Sequence, residues 1–282
     1  MRNCLTWCVL LFAMAGTALS KDPKPAEQGK ATPEAAAGSA TKGPPKELAV
    51  DLGGGMNLEM LLIPAGSFMM GDDEKGSDKA KPVHKVTITK PFYLGKYEVT
   101  QEQWEAVMGK NPSWLKGPKN PVELVSWDDC QKFLGKLNAK AGGQGGTFSL
   151  PTEAQWEYAC RAGSTTRFCY GDAEAGLGEY AWYSGNSGKK SHPVGEKKPN
   201  AWGLYDMHGN VWEWCADYWL AAYAAEAATD PSGPATGTNR VTRGGCWSLP
   251  ANFCRSTFRS FRAPAYRGPF LGLRVARVAA DK

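Results

Sequence analysis

The chain has 282 residues, 42% apolar and 22% charged, with a formal net charge of +5. That composition supports a sizeable core and excludes a chain disordered throughout. The small charge excess and the short apolar stretches beyond the N-terminus argue against a nucleic-acid scaffold and a multi-span membrane protein. The 11 Trp, 33 Gly and 8 Cys point to a loop-rich domain with aromatic side chains wedged between irregular segments.

Residues 1–20 read as a secretory signal peptide. Arg2 precedes an apolar run over residues 5–19, and Ala18 and Ser20 place small residues before Lys21. A cleaved signal predicts a secreted or periplasmic protein with no membrane span after processing, and it removes Cys4 and Cys8. Cys130, Cys160, Cys169, Cys215, Cys246 and Cys254 remain, in a compartment that permits disulfides. Residues 21–55, rich in Pro, Ala and Lys, read as a disordered linker, because they bury too little surface to offset ordering entropy.

A folded domain is expected over residues 56–280. Residues 58–63 read as a strand, Pro64 and Gly66 as a turn, residues 68–71 as a second short strand and residues 86–88 as a third. Thr100 with Gln103, Ser126 with Asp129 and Thr152 with Gln155 have the spacing of reciprocal N-terminal caps. The three helices they open should end at Gly109, at Gly142-Gly143 and near Gly163. Beyond Gly163 no helix-length apolar period persists, and loops of that extent commonly carry a site.

Four clusters could carry chemistry. Asp206 and Glu213 flank a glycine turn and could converge on a hard cation such as calcium; equally, Glu213 could be buried against an arginine. Cys246 and Cys254 follow a Gly pair and could form a disulfide, a thiolate metal site or two separate buried thiols, with the disulfide the default in an exported chain. Eight arginines from Arg240 to Arg277 are interleaved with Phe and Tyr, a pattern that favours stacking and internal carboxylate pairs over nucleic acid. His84, His192 and His208 lack zinc or iron spacing.

Six ordered motifs resemble the formylglycine-generating enzyme family, also called sulfatase-modifying factors. They are Ile63-Pro64-Ala65-Gly66-Ser67-Phe68-Met69-Met70-Gly71, Tyr97-Glu98-Val99-Thr100, Leu150-Pro151-Thr152-Glu153-Ala154-Gln155-Trp156-Glu157-Tyr158, Gly203-Leu204-Tyr205-Asp206-Met207-His208-Gly209-Asn210-Val211-Trp212-Glu213-Trp214, Arg243-Gly244-Gly245 and Leu271-Gly272-Leu273-Arg274-Val275. The resemblance implies a single mixed α+β domain of low regular structure with a C-type-lectin-like core. It also implies an oxidoreductase activity, the copper- and oxygen-dependent oxidation of a sulfatase cysteine to formylglycine. Soft thiolates suit the copper(I) ion that such members hold between two cysteines.

Carried onto this chain, the family's two copper ligands fall on Leu249 and Cys254. Leucine cannot ligate copper, whereas Cys246, in the place where the family usually has a serine, could serve beside Cys254 as a substitute catalytic and copper-binding thiolate. The same transfer assigns a structural calcium to the side chains of Asp206 and Glu213 and the carbonyls of Gly209 and Val211. A second calcium site does not transfer, because Trp182 stands where a coordinating asparagine is expected. Two functions follow as expectations: an exported cysteine oxidase acting on a protein or peptide such as a sulfatase, and a non-catalytic ligand- or protein-binding module on the same fold.

Overall fold

Hydrophobic alternation and glycine turns build three sheets in the computed structural model, which describes residues 46–74, 78–141 and 146–278. In chain order the strands are β1 (Glu47–Gly53), β2 (Met56–Ile63), β3 (Gly66–Met70), β4 (His84–Ile88), β5 (Phe92–Gly95) and β6 (Phe148–Ser149). They continue as β7 (Trp212–Tyr218), β8 (Ala228–Thr229), β9 (Arg240–Arg243), β10 (Ser260–Arg262), β11 (Leu271–Gly272) and β12 (Ala276–Val278). The sheet orders are β1-β2-β5-β12-β6, β10-β9-β7-β11 and β3-β4-β8. Short strands joined by long loops make this a mixed α+β domain of little regular structure.

The first strand corrects the expected linker boundary. β1 pairs antiparallel with β2 from Glu47 opposite Leu61 to Gly53 opposite Met56, and Leu52 is buried. Three consecutive glycines, Gly53 to Gly55, make the turn between the two strands, so folding begins before residue 56. The signal segment and residues 21–45 of the linker lie outside the described residues. Among the described residues no helix is long and apolar enough to cross a membrane.

The three helices, α1 (Gln101–Met108), α2 (Trp127–Ala141) and α3 (Glu153–Arg161), start directly after the three caps. Thr100 and Thr152 each accept from the backbone of the residue three further on, while Gln103 and Gln155 return the bond. Ser126 and Asp129 exchange the same pair of bonds, at 3.1 Å each. Helix α1 ends at Gly109, whose φ of 82° a side chain would oppose. Helix α3 instead ends on Ala162, also in the left-handed region, one residue before the expected Gly163.

Two apolar clusters hold these layers together. One packs Trp104, Phe133, Trp212 and Trp214 between helices α1 and α2 and the strands, with Trp104 and Phe133 stacked at 5.0 Å. The other groups Trp156 and Cys160 of α3 with Cys215 of β7. Past α3 the described chain contains only short 3-10 turns and strands, and this irregular half carries every predicted site residue.

Candidate functional site

Cys254 closes a 3-10 turn, Ala251–Cys254, that starts after Pro250. Gly245, with φ of 77°, lets the preceding loop approach: a Cβ there would stand 2.7 Å from Cys254 Sγ. The geometry brings Cys246 and Cys254 to the same place, as the sequence suggested, yet both are fully buried. All six described cysteines are free thiols, so the expected disulfide is replaced by two separate sulfhydryls. Cys246 Sγ lies 3.2 Å from Ser248 Oγ. Leu249, Phe253, Phe258 and Phe270 pack against the cluster that contains Cys246.

Burial pushes both thiols up, Cys254 the more strongly, with Cys246 adding to its shift. A copper(I) oxidase needs two thiolates and an open position that a substrate thiol can enter. Two buried thiols beside a leucine do not supply that open pair of thiolates. The positions expected to carry catalysis and copper, Cys246 and Cys254, hold a buried pair of free thiols.

Sequence spacing missed the neighbours of Cys254. His208 Nδ1–H donates to the Cys254 carbonyl at 2.8 Å, and its Nε2 accepts from the Cys169 backbone N–H at 3.1 Å. These bonds assign the neutral Nδ1–H tautomer and leave the ring no nitrogen free to act as a base. Cys160 on α3 lies 3.8 Å from His208 Nε2, and burial pushes its thiol up to about 12. Nothing local in the sequence signals this group, because residues 160–169 meet His208 and Cys254 only in three dimensions.

The expected calcium ligands part company. Glu213 on β7 is fully buried and forks with Arg274, which donates through Nη2 at 2.7 Å and through Nε at 3.0 Å to each carboxylate oxygen. Trp156 Nε1 donates to its Oε2 at 2.7 Å. Both oxygens are therefore engaged by Arg274 and Trp156, the arginine pairing that the sequence left open beside calcium for Glu213. Asp206 fits a cation better: its Oδ2 accepts from the Gly195 N–H at 2.7 Å, while its buried Oδ1 has no partner. Burial pushes the Asp206 carboxyl up to about 6.

Glu98, quoted in a motif but assigned no role from sequence, completes the cluster. Its carboxylate accepts from the Val211 N–H at 3.0 Å and the Asn210 amide at 2.7 Å. Burial first, then Asp206 and Glu213, hold the Glu98 carboxyl well above the usual range. Three buried carboxyls thus share one buried arginine, Arg274. Among the described residues no three His, Cys, Asp or Glu side chains are grouped to hold a metal ion. Trp182, the residue for which no second calcium site was expected, carries the Lys197 ammonium 3.8 Å from its ring centroid.

Most of the C-terminal arginines are turned inward, while the exposed Arg267 pairs with Asp129 at 2.7 Å. Arg243 bridges Glu157, and Arg259 forks onto Glu153 at 2.6 and 2.7 Å. Arg240 stacks 3.4 Å from the Tyr218 ring centroid and 3.8 Å from that of Trp127. Arg277 lies over Phe148 at 4.7 Å. Cations held in this way act on the fold rather than on a diffusing partner.

Residues 50–279 match the sulfatase-modifying factor enzyme 1-like domain. Among curated proteins, the chain is 32% identical to the chaperone protein LppX of Paenibacillus barcinonensis, over 78% of this chain and 89% of that protein. It is 30% identical to the formylglycine-generating enzyme of Streptomyces coelicolor, over 77% of this chain and 88% of the enzyme. Among solved structures, variable protein 1 of Treponema denticola superposes with a TM-score of 0.78 at 33% identity, covering 83% of this chain and all (100%) of that one. PvdO of Pseudomonas aeruginosa gives 0.74 at 32% identity, covering 84% and 100%. These likenesses bear out the expected C-type-lectin-like core of formylglycine-generating enzymes.

Proposed function

The chain belongs to the sulfatase-modifying factor enzyme 1-like family, and we propose that within it this protein is an exported, non-catalytic module that binds a protein or peptide. One observation carries the reading: Leu249 occupies an expected copper-ligand position while the remaining thiols, Cys246 and Cys254, are sealed in the core. The name of the Paenibacillus relative, a chaperone protein, supports a protein partner. Export rests on the signal-like residues 1–20.

The test is to incubate the copper-loaded protein with a cysteine-containing sulfatase-motif peptide and follow peptide mass. No aldehyde is expected beyond that in a protein-free control. Aldehyde formation that disappears in a Cys254→Ser variant would overturn the reading and restore the oxidase.

Calcium belongs to the proposal with a changed ligand set. Asp206 Oδ1 would hold the ion with the carbonyls of Gly209 and Val211, and the ion would offset part of the excess carboxylate charge. Chelation is expected to lower the melting temperature of the wild type and to leave Asp206→Asn unchanged, read by thermal melts with and without chelator. A wild-type melt indifferent to chelator would remove calcium from the account.

A further inference from the structure

A second feature of the fold concerns the strand β3, at the opposite end of helix α3 from its N-terminal cap. Among the described residues β3 pairs with β4 alone, as the outer strand of the sheet β3-β4-β8. No other backbone hydrogen bond joins residues 66–70 to a described residue. In an antiparallel pair, alternate residues turn their N–H and C=O groups away from the partner strand, so this edge is open for pairing.

A cleft of about 530 Å³ lies along the same strand. Ser67 and Met69 line it from one face of β3 and Phe68 from the other. Because successive side chains alternate across a strand, a cleft touching both sets follows the edge rather than one face. Its apolar wall is an aromatic run, with Phe68 tilted 5.2 Å from Tyr158 and Tyr158 edge-on 4.9 Å from Trp202. Met69 is 51% exposed at the rim.

The polar groups of the cleft select its occupant. Asp73 and Asp172 are exposed and have no ion-pair partner among the described residues; Asp73 accepts only from the Val83 N–H and Asp172 from that of Arg167. The cleft's arginines are already turned inward. Arg161 donates to Glu157 and to the carbonyls of Gly71 and Thr166, and Arg167 bridges Glu74 at 3.1 Å. Arg167 Nε is buried without an acceptor, a donor suited to a carbonyl.

From this placement we infer that the open edge of β3 captures an extended peptide of a partner protein as an added strand, with a lysine or arginine of the peptide on Asp73 and Asp172. Main-chain pairing supplies affinity in such sites, and pockets for alternate side chains supply selectivity. The inference rests on the non-catalytic, protein-binding reading and gives it a surface away from the buried cysteines.

A displayed random library of 12-residue peptides, selected on the full chain, supplies the probe. Enriched peptides are expected to carry Lys or Arg and to bind at least tenfold more weakly to the double variant Asp73→Asn/Asp172→Asn. N-methylation of every second amide is expected to abolish binding in one register and spare it in the other. Failure to enrich over the double variant, or equal binding by both methylated registers, would overturn strand capture. Neither outcome bears on copper chemistry, so a failed capture leaves the non-catalytic reading standing, whereas aldehyde formation defeats that reading independently.

Discussion

Glu213→Gln is expected to destabilise the fold by about 3–5 kcal/mol, with most of the loss unchanged by a calcium chelator. Glu213 and Arg274 are both fully buried, and Arg274 also donates to the carbonyls of Gly95 at 2.9 Å and Tyr205 at 2.8 Å. One guanidinium therefore ties β7 to the end of β5 and to the loop that carries Asp206. Glutamine keeps the shape of Glu213 but leaves the buried Arg274 without its bidentate partner, which is costlier than removing both.

The complementary change, Arg274→Met, leaves Glu213 facing Glu98 and Asp206 with only Trp156 as donor, and a loss of similar size is expected. Denaturant midpoints at constant slope, with and without chelator, measure both variants. A Glu213→Gln loss below about 1 kcal/mol, or one that vanishes in chelator, would return Glu213 to the calcium site.

Local chemistry made part of the fold legible. Each Thr or Ser cap needs only a residue three positions away, so the three helices could be placed from a few letters each. The strand β1 was missed because its short alternation of Leu48, Val50 and Leu52 follows directly on a Pro- and Ala-rich stretch and was read as part of it; pairing with β2 sets the two apart. The interleaving of arginines with aromatics correctly indicated internal stacking, because that pattern repeats within a short segment.

The site was legible in its positions and illegible in its partners. Cys246 and Cys254 were singled out together after the Gly pair, and Leu249 announced a missing ligand. Whether Glu213 would face a cation or Arg274 depended on a contact 61 positions along the chain, which spacing within the motif cannot resolve. Burial of the thiols likewise comes from residues that meet only in three dimensions: Leu249, Phe253, Phe258 and Phe270 around the cluster of Cys246, and Phe168, Leu177, Ala181 and Ala251 around Cys254. The open edge of β3 had no sequence signal at all, since an edge is defined by the strand that does not arrive.

Arg243→Lys is expected to cost about 3 kcal/mol and to expose the cysteine loop to reagents. Arg243 closes β9 directly before Gly244-Gly245-Cys246 and is fully buried. Its Nη2 donates to Glu157 and its Nη1 to the Phe258 carbonyl at 2.8 Å, while its Nε lies 3.5 Å from Glu153 without a formal hydrogen bond. A lysine ammonium is a point charge and cannot span a carboxylate on α3 and a carbonyl beyond Cys254 at once. Because Glu157 keeps Arg161 and Glu153 keeps Arg259, the loss should fall near the lower end for a broken buried pair. The released span is the one that holds Cys246 against Cys254. In the wild type these thiols should react with a disulfide reagent only as fast as the protein unfolds; in Arg243→Lys they should react under native conditions, faster than global unfolding. Wild-type stability together with unchanged thiol protection would show that Arg243 does not brace the cysteine loop.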